Sequence, residues 1–168
     1  MTEHCPHSET ASCTLPSSEQ VKVLLDQAVS LCEQRNLRFT ELRKQVLELV
    51  CRADQPVGAY QLLDELREQG RSAAPPTVYR ALDFLLEQGL VHRLATNNTY
   101  LACAHPQKPH AAVFLVCSQC GQTQEVHTRG VIEVVKQQAE KFDFRVTHAS
   151  VEVAGLCHSC QSQKEGAQ

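Results

Sequence analysis

The sequence predicts an α+β fold in two parts, a winged-helix unit followed by a smaller α/β unit. Three observations carry that expectation. Four stretches with apolar residues at spacings of three and four precede a pair of short alternating stretches. A break between 104 and 110, with Pro106 and Pro109, then interrupts the pattern. Beyond it, two Cys-x-x-Cys pairs flank a strand–helix–strand run.

Residues 1–17 are rich in Ser, Thr, Pro, Cys and His and show no apolar period, so a flexible arm is expected. His4, Cys5, His7 and Cys13 lie in it, either as loose metal ligands or as incidental tail residues. From Ser18, the residues Val21, Leu24, Leu25, Ala28, Leu31 and Cys32 form one stripe of a helix that should end near Asn36. Cys32 reads as a core thiol. Thr40 suits the N-cap of a second helix, because its hydroxyl accepts a first-turn amide. Leu42, Val46, Leu49 and Val50 give that helix its inner face, and Cys51 reads as structural.

Pro56 and Gly58 break the chain, and a third helix, Ala59 to Gln69, carries Leu62, Leu63 and Leu66 inward until Gly70 stops it. Pro75-Pro76-Thr77 opens a fourth helix, since the first-turn amides that proline lacks have no intrahelical partner. Val78, Ala81, Leu82, Leu85 and Leu86 line its buried side and Gly89 ends it. Strands Leu90 to Ala95 and Thr99 to Cys103 follow, with Asn97-Asn98 as a two-residue hairpin turn. In a winged helix the fourth helix enters a major groove and the hairpin is the wing; other small α/β domains share this order.

The expected organisation is an arm at 1–17, the winged-helix unit at 18–103, a hinge at 104–110, a metal-binding and dimerisation unit at 111–161 and a tail at 162–168. In the second unit Ala111 to Cys117, Gln122 to His127 and Arg145 to Ala154 read as strands. Gly130 to Phe142 reads as a helix with Val131, Val134, Val135 and Ala139 inward. A core of only about 55 residues is marginal alone, so a structural metal or a partner subunit is expected.

Composition bounds the function. Of 168 residues, 42% are hydrophobic and 21% charged, which is ordinary for a soluble globular protein. No apolar run approaches the ~18 residues of a membrane helix, and the polar start lacks the apolar core of a secretory signal, so a cytoplasmic protein is expected. A net charge of −3 excludes a histone-like nucleic-acid binder but leaves room for a small basic face. Nine cysteines and eight histidines are the unusual feature. The odd count and the expected reducing compartment favour metal over a disulfide framework.

Cys117-Ser-Gln-Cys120-Gly and Cys157-His-Ser-Cys160 can each present two thiolates to one ion. Together they complete a closed four-cysteine shell, the form of a structural zinc site with no open position for chemistry. A thioredoxin-like redox role is the alternative, and no βαβ context accompanies it. A second set is suggested by the hairpin. With Asn97-Asn98 as the turn, His92 faces Cys103 across the pair, with Cβ atoms about 5 Å apart. His110 and Glu125 enter and leave the next strand pair, and His105 is a nearby spare. His92, Cys103, His110 and Glu125 would give two nitrogens, one sulfur and one oxygen at the hinge; a histidine taken alone is usually a surface residue.

The run Pro75-Pro76-Thr77-Val78-Tyr79-Arg80-Ala81-Leu82-Asp83-Phe84-Leu85 with Leu90-Val91-His92 resembles the recognition helix and wing of the ferric uptake regulator (Fur) superfamily. Arg38-Phe39-Thr40-Glu41-Leu42-Arg43 resembles the start of its second helix, and the paired knuckles resemble its structural zinc site. The likeness spans about Glu19 to Cys160 and is greatest to the zinc-uptake branch. There His92, Cys103, His110 and Glu125 fall where the regulatory zinc ligands stand. Iron and peroxide sensors carry a His- and Asp-rich run before the first knuckle; here it reads Ala111-Ala112-Val113-Phe114. His148 resembles an iron ligand of those relatives but lacks its partners here. The donor set suits tetrahedral zinc, although cobalt would fit it too.

The resemblance implies a homodimer that binds palindromic operator DNA when the hinge zinc is in place, with two zinc ions per chain, and represses zinc-uptake genes. It implies no catalysis and no membrane. Between Ser18 and Ala102 there are ten Lys and Arg against eleven Asp and Glu, so the positive charges must be segregated on one face. Arg38, Arg43, Lys44 and Arg80 are the candidates, with Thr77, Tyr79 and Tyr60 completing the expected DNA-contacting set. Arg80 could pair with guanine O6 and N7 or with a phosphate; Tyr60 and Tyr79 could touch a thymine methyl or a phosphate, or pack. The alternatives are a sensor of iron or nickel, a zinc enzyme using Glu125 as base, and a zinc-ribbon protein adaptor. No His-Glu-x-x-His or deaminase-type pattern supports the enzyme.

Overall fold

The computed structural model describes residues 18–71, 73–103, 106, 112–126, 129–147 and 149–165. The expected arm and the residues Ala104, His105, His110, Ala111, His127 and His148 lie outside them.

The first half runs α1 (Ser18–Gln34), α2 (Glu41–Arg52), β1 (Val57–Gly58), α3 (Ala59–Glu68), α4 (Pro75–Glu87), β2 (Val91–Leu94) and β3 (Thr99–Ala102). The stripes of all four helices meet in one core around Ala28, Val46, Leu62, Leu66, Leu82 and Leu85, all fully buried. Helix starts and stops follow local chemistry. Thr40 caps α2 by accepting the Arg43 amide. Asn36 and Gly89 adopt positive φ, and the next amides, Leu37 and Leu90, reach back to the carbonyls of Cys32 and Leu85. These are Schellman stops, which consume the last free carbonyls of α1 and α4.

The wing corrects one expectation. Leu94 pairs with Thr99 and His92 with Leu101, so the turn has four residues, Ala95 to Asn98, not two. Asn98 takes the positive φ, and its side-chain oxygen accepts from Arg93 Nε at 2.8 Å. Cys103 therefore faces Leu90, whose carbonyl accepts its amide, and not His92. The slip is by two residues, so alternation keeps Cys103 on the face of His92, now as a diagonal neighbour. The strand ends also retreat by a residue from Leu90, Ala95 and Cys103. The two-residue β1, too short for any periodicity, pairs with β3 and completes a sheet of order β1-β3-β2.

The second half holds β4 (Ala112–Cys117), β5 (Thr123–Val126), α5 (Arg129–Glu140), β6 (Ser150–Gly155) and α6 (His158–Glu165). Its sheet has the order β5-β4-β6, with β5 antiparallel and β6 parallel to β4. The expected strand from Arg145 begins only at Ser150, and α6 replaces a plain tail. The valines of α5 differ too. Val131, Val134 and Val135 are exposed, and among the described side chains of the helix only Ile132 is buried. Leu94 of β2 packs with Ala112 and Phe114 of β4, flanked by Leu101 and Val116, where the wing meets this sheet. No helix among the described residues is long and apolar enough to cross a membrane.

Leu82→Ala should destabilise the winged-helix core by about 2–5 kcal/mol, because a fully buried leucine leaves a cavity that packed helices close only in part. Urea unfolding measures this, and an unchanged midpoint would show that Leu82 does not anchor the helix.

Candidate metal centres and nucleic-acid interface

The four-thiolate cluster follows from strand register. β4 and β6 are parallel and Cys117 pairs with Gly155, so both knuckles emerge at the same end of the sheet. Gly121, at φ +74°, turns the first knuckle while its amide bonds the Cys117 carbonyl. The second knuckle leads into α6. The Sγ atoms of Cys117, Cys120, Cys157 and Cys160 all lie within 4.8 Å of one another, and those of Cys120 and Cys157 are 3.7 Å apart. Ligands about 2.3 Å from one tetrahedral zinc stand about 3.8 Å apart, so the donor set and its spacing fit that ion. The backbone amides of Cys120, Cys157 and Gln119 pull the Cys117 thiol down to about 6, which favours the thiolate that binds metal. Burial pushes Cys160 up to about 12, in company with three other sulfurs. Cys32 and Cys51 lie in the helical core. Burial raises both, Cys51 to about 12, and they behave as packed thiols.

At the junction of wing and sheet, His92 Nε2 lies 3.4 Å from Glu125 Oε1. Both side chains are largely buried, and the imidazole stands edge-on to Phe114 with centroids 5.2 Å apart. Two ligands held about 2.0–2.1 Å from one tetrahedral ion would be about 3.4 Å apart. Cys103 is 1% exposed on the same face of the wing. Of the four expected ligands, His92 and Glu125 are thus brought together and Cys103 is buried on the His92 face of the hairpin; His110 and its spare His105 lie outside the described residues.

Two contacts between the two halves were missed by sequence reasoning. Glu152 of β6 accepts the amides of Ala95 and Thr96 and the Thr96 hydroxyl, and Gln55 Nε2 donates to the Cys120 carbonyl at 3.0 Å. Burial raises the Glu152 carboxyl, but these bonds outweigh it and hold the group below its ordinary value. Neither residue belongs to a motif; a glutamate in an alternating strand reads as a solvent-facing position.

The candidate DNA face is centred on the start of α4. Thr77 and Arg80 are exposed there and Tyr79 is half-buried against the core. Tyr60, at the start of α3, is 67% exposed. Arg38, just before α2, and Lys44, in its first turn, are exposed. Arg43 is used differently. Its guanidinium lies over the Phe84 ring and donates to the Arg38 carbonyl, which fixes the start of α2 against α4.

These features define a class: a winged helix whose wing docks on a small sheet through a metal-capable junction, with four thiolates clamping the sheet's end. The chain belongs to the ferric uptake regulator family, whose model matches residues 34–154. It is 44% identical over 138 residues to the zinc uptake regulation protein of Escherichia coli (strain K12), covering 82% of this chain and 81% of that protein. Among solved structures it resembles a zinc uptake regulator complexed with zinc and DNA, with a TM-score of 0.82 and 42% identity over 86% of this chain and 97% of that one. Holo XcZur matches at a TM-score of 0.77 and 40% identity, over 83% of this chain and 98% of that one. Apo XcZur gives 0.50 at 39% identity, over 85% and 99%. At nearly equal identity, the chain superposes more fully on the holo structure than on the apo one.

Proposed function

We propose that this chain is a zinc-responsive transcriptional repressor that binds palindromic operator DNA as a homodimer and controls zinc-uptake genes. The observation that carries the reading is the buried His92–Glu125 pair at the base of the wing, where the wing meets the second sheet, with the buried Cys103 on the His92 face of the hairpin. An ion bound there by these residues and His110 joins the two halves and fixes the recognition helices relative to each other. A second ion on Cys117, Cys120, Cys157 and Cys160 serves structure alone. The similarity to zinc uptake regulators selects zinc, and the buried apolar run Ala112-Val113-Phe114 supplies none of the donors an iron sensor needs.

Homodimerisation is supported by what the chain leaves uncovered. Leu115 and Val153 pair across β4 and β6 on the face opposite Phe114, and both are exposed. Val131, Val134 and Val135 of α5 are exposed as well. Large apolar side chains left exposed on a sheet face and along a helix are the kind of surface a partner covers. A two-fold dimer would place two α4 helices against half-sites about one turn of DNA apart. DNA as partner implies a cytoplasmic location. Because zinc and DNA favour the same arrangement, DNA must raise zinc affinity by the same factor that zinc raises DNA affinity.

The test is zinc titration against a promoter fragment, with Cys103→Ser beside the wild type. Losing the soft ligand should weaken the hinge zinc by at least about tenfold and remove zinc-stimulated DNA retardation, while the dimer and its structural zinc persist. Cys51→Ser should cost some stability and leave regulation intact. Wild-type DNA affinity of Cys103→Ser at equal free zinc would reduce Cys103 to a wing residue and sink the sensor reading.

A further inference from the structure

The wing meets the second sheet at two ends. At its base His92 faces Glu125. At its tip three donors converge on Glu152: the Ala95 amide at 2.6 Å, the Thr96 amide at 3.2 Å and the Thr96 hydroxyl at 2.5 Å. Glu125 and Glu152 are the two cross-strand partners of a single residue, Phe114. The three side chains therefore form one row across β5, β4 and β6, on one face of the sheet. Leu94 packs with Phe114 in the middle of that row. A carboxylate that takes three donors from one turn makes strong, directional, charge-assisted bonds. The contact uses none of the hinge donors, so it acts whether or not metal is bound.

We propose that Glu152 is a positioning residue for the hinge site: by gripping the wing tip it holds His92 and Cys103 opposite Glu125 before zinc arrives. The role rests on the reading of that hinge as a zinc site. If the wing swings away from the sheet, the ligands of β2 and β3 separate from the ligand of β5. Apparent zinc affinity then falls in proportion to the closed fraction. Glu152 raises that fraction without touching the ion, which sets the zinc concentration at which the protein responds.

The test uses the full-length dimer carrying its structural zinc. Glu152→Gln keeps the shape but loses the charge, and Thr96→Val removes the hydroxyl. Zinc itself is the probe, titrated against a competing chelator and, separately, against operator binding. Each variant should need about tenfold more free zinc, and the double variant little more than either single one, because both break one contact. Maximal DNA binding at saturating zinc should stay at the wild-type level, which a merely destabilised fold would not give. After mild chelation, the amides of Ala95 and Thr96 should exchange faster in Glu152→Gln than in the wild type. A wild-type zinc curve for Glu152→Gln, or effects that simply add in the double variant, overturns the positioning role. Cys103→Ser is titrated alongside. A wild-type curve there overturns the hinge reading itself, whereas a lost response there beside a normal Glu152→Gln overturns the latch alone.

Discussion

Cys160→Ser should strip the structural ion and melt the second half of the molecule while α1 to α4 stay folded. The sheet of β4, β5 and β6 has a thin core: among its described residues only Ala112, Val113, Phe114, Cys117 and, from α5, Ile132 are buried, with Cys160 closing the end. So small a core cannot offset the entropy of ordering its chain without a further tie. The four thiolates supply it by joining the end of β4 to the start of α6, and the binding energy of a closed zinc site is of the order of a domain's whole stability. Serine keeps the size but is a poor ligand for a soft site. Metal analysis should show one zinc fewer per chain, circular dichroism should show an early transition absent from the wild type, and sedimentation should show loss of the dimer. Full zinc content with wild-type melting would mean that the other three cysteines and packing suffice.

The two candidate metal sites differ in how much of them the sequence disclosed, and the difference is physical. Cys-x-x-Cys is a local pattern: the spacing itself places two sulfurs at one turn, so Cys117, Cys120, Cys157 and Cys160 could be grouped before any fold was known. The hinge set is assembled by tertiary contact. His92 and Cys103 were related only through an assumed register, and that register was off by two because a four-residue turn leaves the same alternation as a two-residue one. Parity protected the conclusion that both share a face; a slip of one would have destroyed it. Glu152 was not legible at all, since its partners are backbone amides fifty-six and fifty-seven positions away and amides have no sequence signature. The stripe of α5 was seen as apolar and assigned to the chain's own core. Amphipathic periodicity reports that a face is buried but not against which chain, and Val131, Val134 and Val135 are left bare by this one. The helical half fared best, because stripes, the Thr40 cap and the Asn36, Gly70 and Gly89 stops are all local chemistry.

Arg80→Ala should weaken operator binding by about 1–3 kcal/mol for each subunit that reads a guanine, and so by about twice that for a dimer. Arg80 is exposed on the outer side of α4 and lies within the helix's first two turns, the part that usually enters a major groove. Tyr79 beside it is turned into the core and Arg43 is engaged with Phe84, which leaves Arg80 as the cation best placed to reach base edges. Among the described residues no ion pair engages it, whereas Arg67 is paired with Asp64 and Arg71 with Glu41. Base reading and phosphate contact make different predictions. A bidentate bond to guanine O6 and N7 makes the loss specific, so discrimination at one base pair of each half-site should flatten. A phosphate contact instead weakens binding equally on every sequence and lowers the salt slope by about one unit per subunit. The measurement is affinity on the operator and on single-base variants at two salt concentrations, with zinc held at saturation so that hinge occupancy does not change. Loss concentrated on one base pair establishes reading by Arg80. Uniform loss assigns it to the backbone and moves sequence recognition to Tyr60, Thr77 or the shape of the duplex. Unchanged affinity on every duplex takes α4 out of the groove, and the repressor geometry proposed for this chain with it.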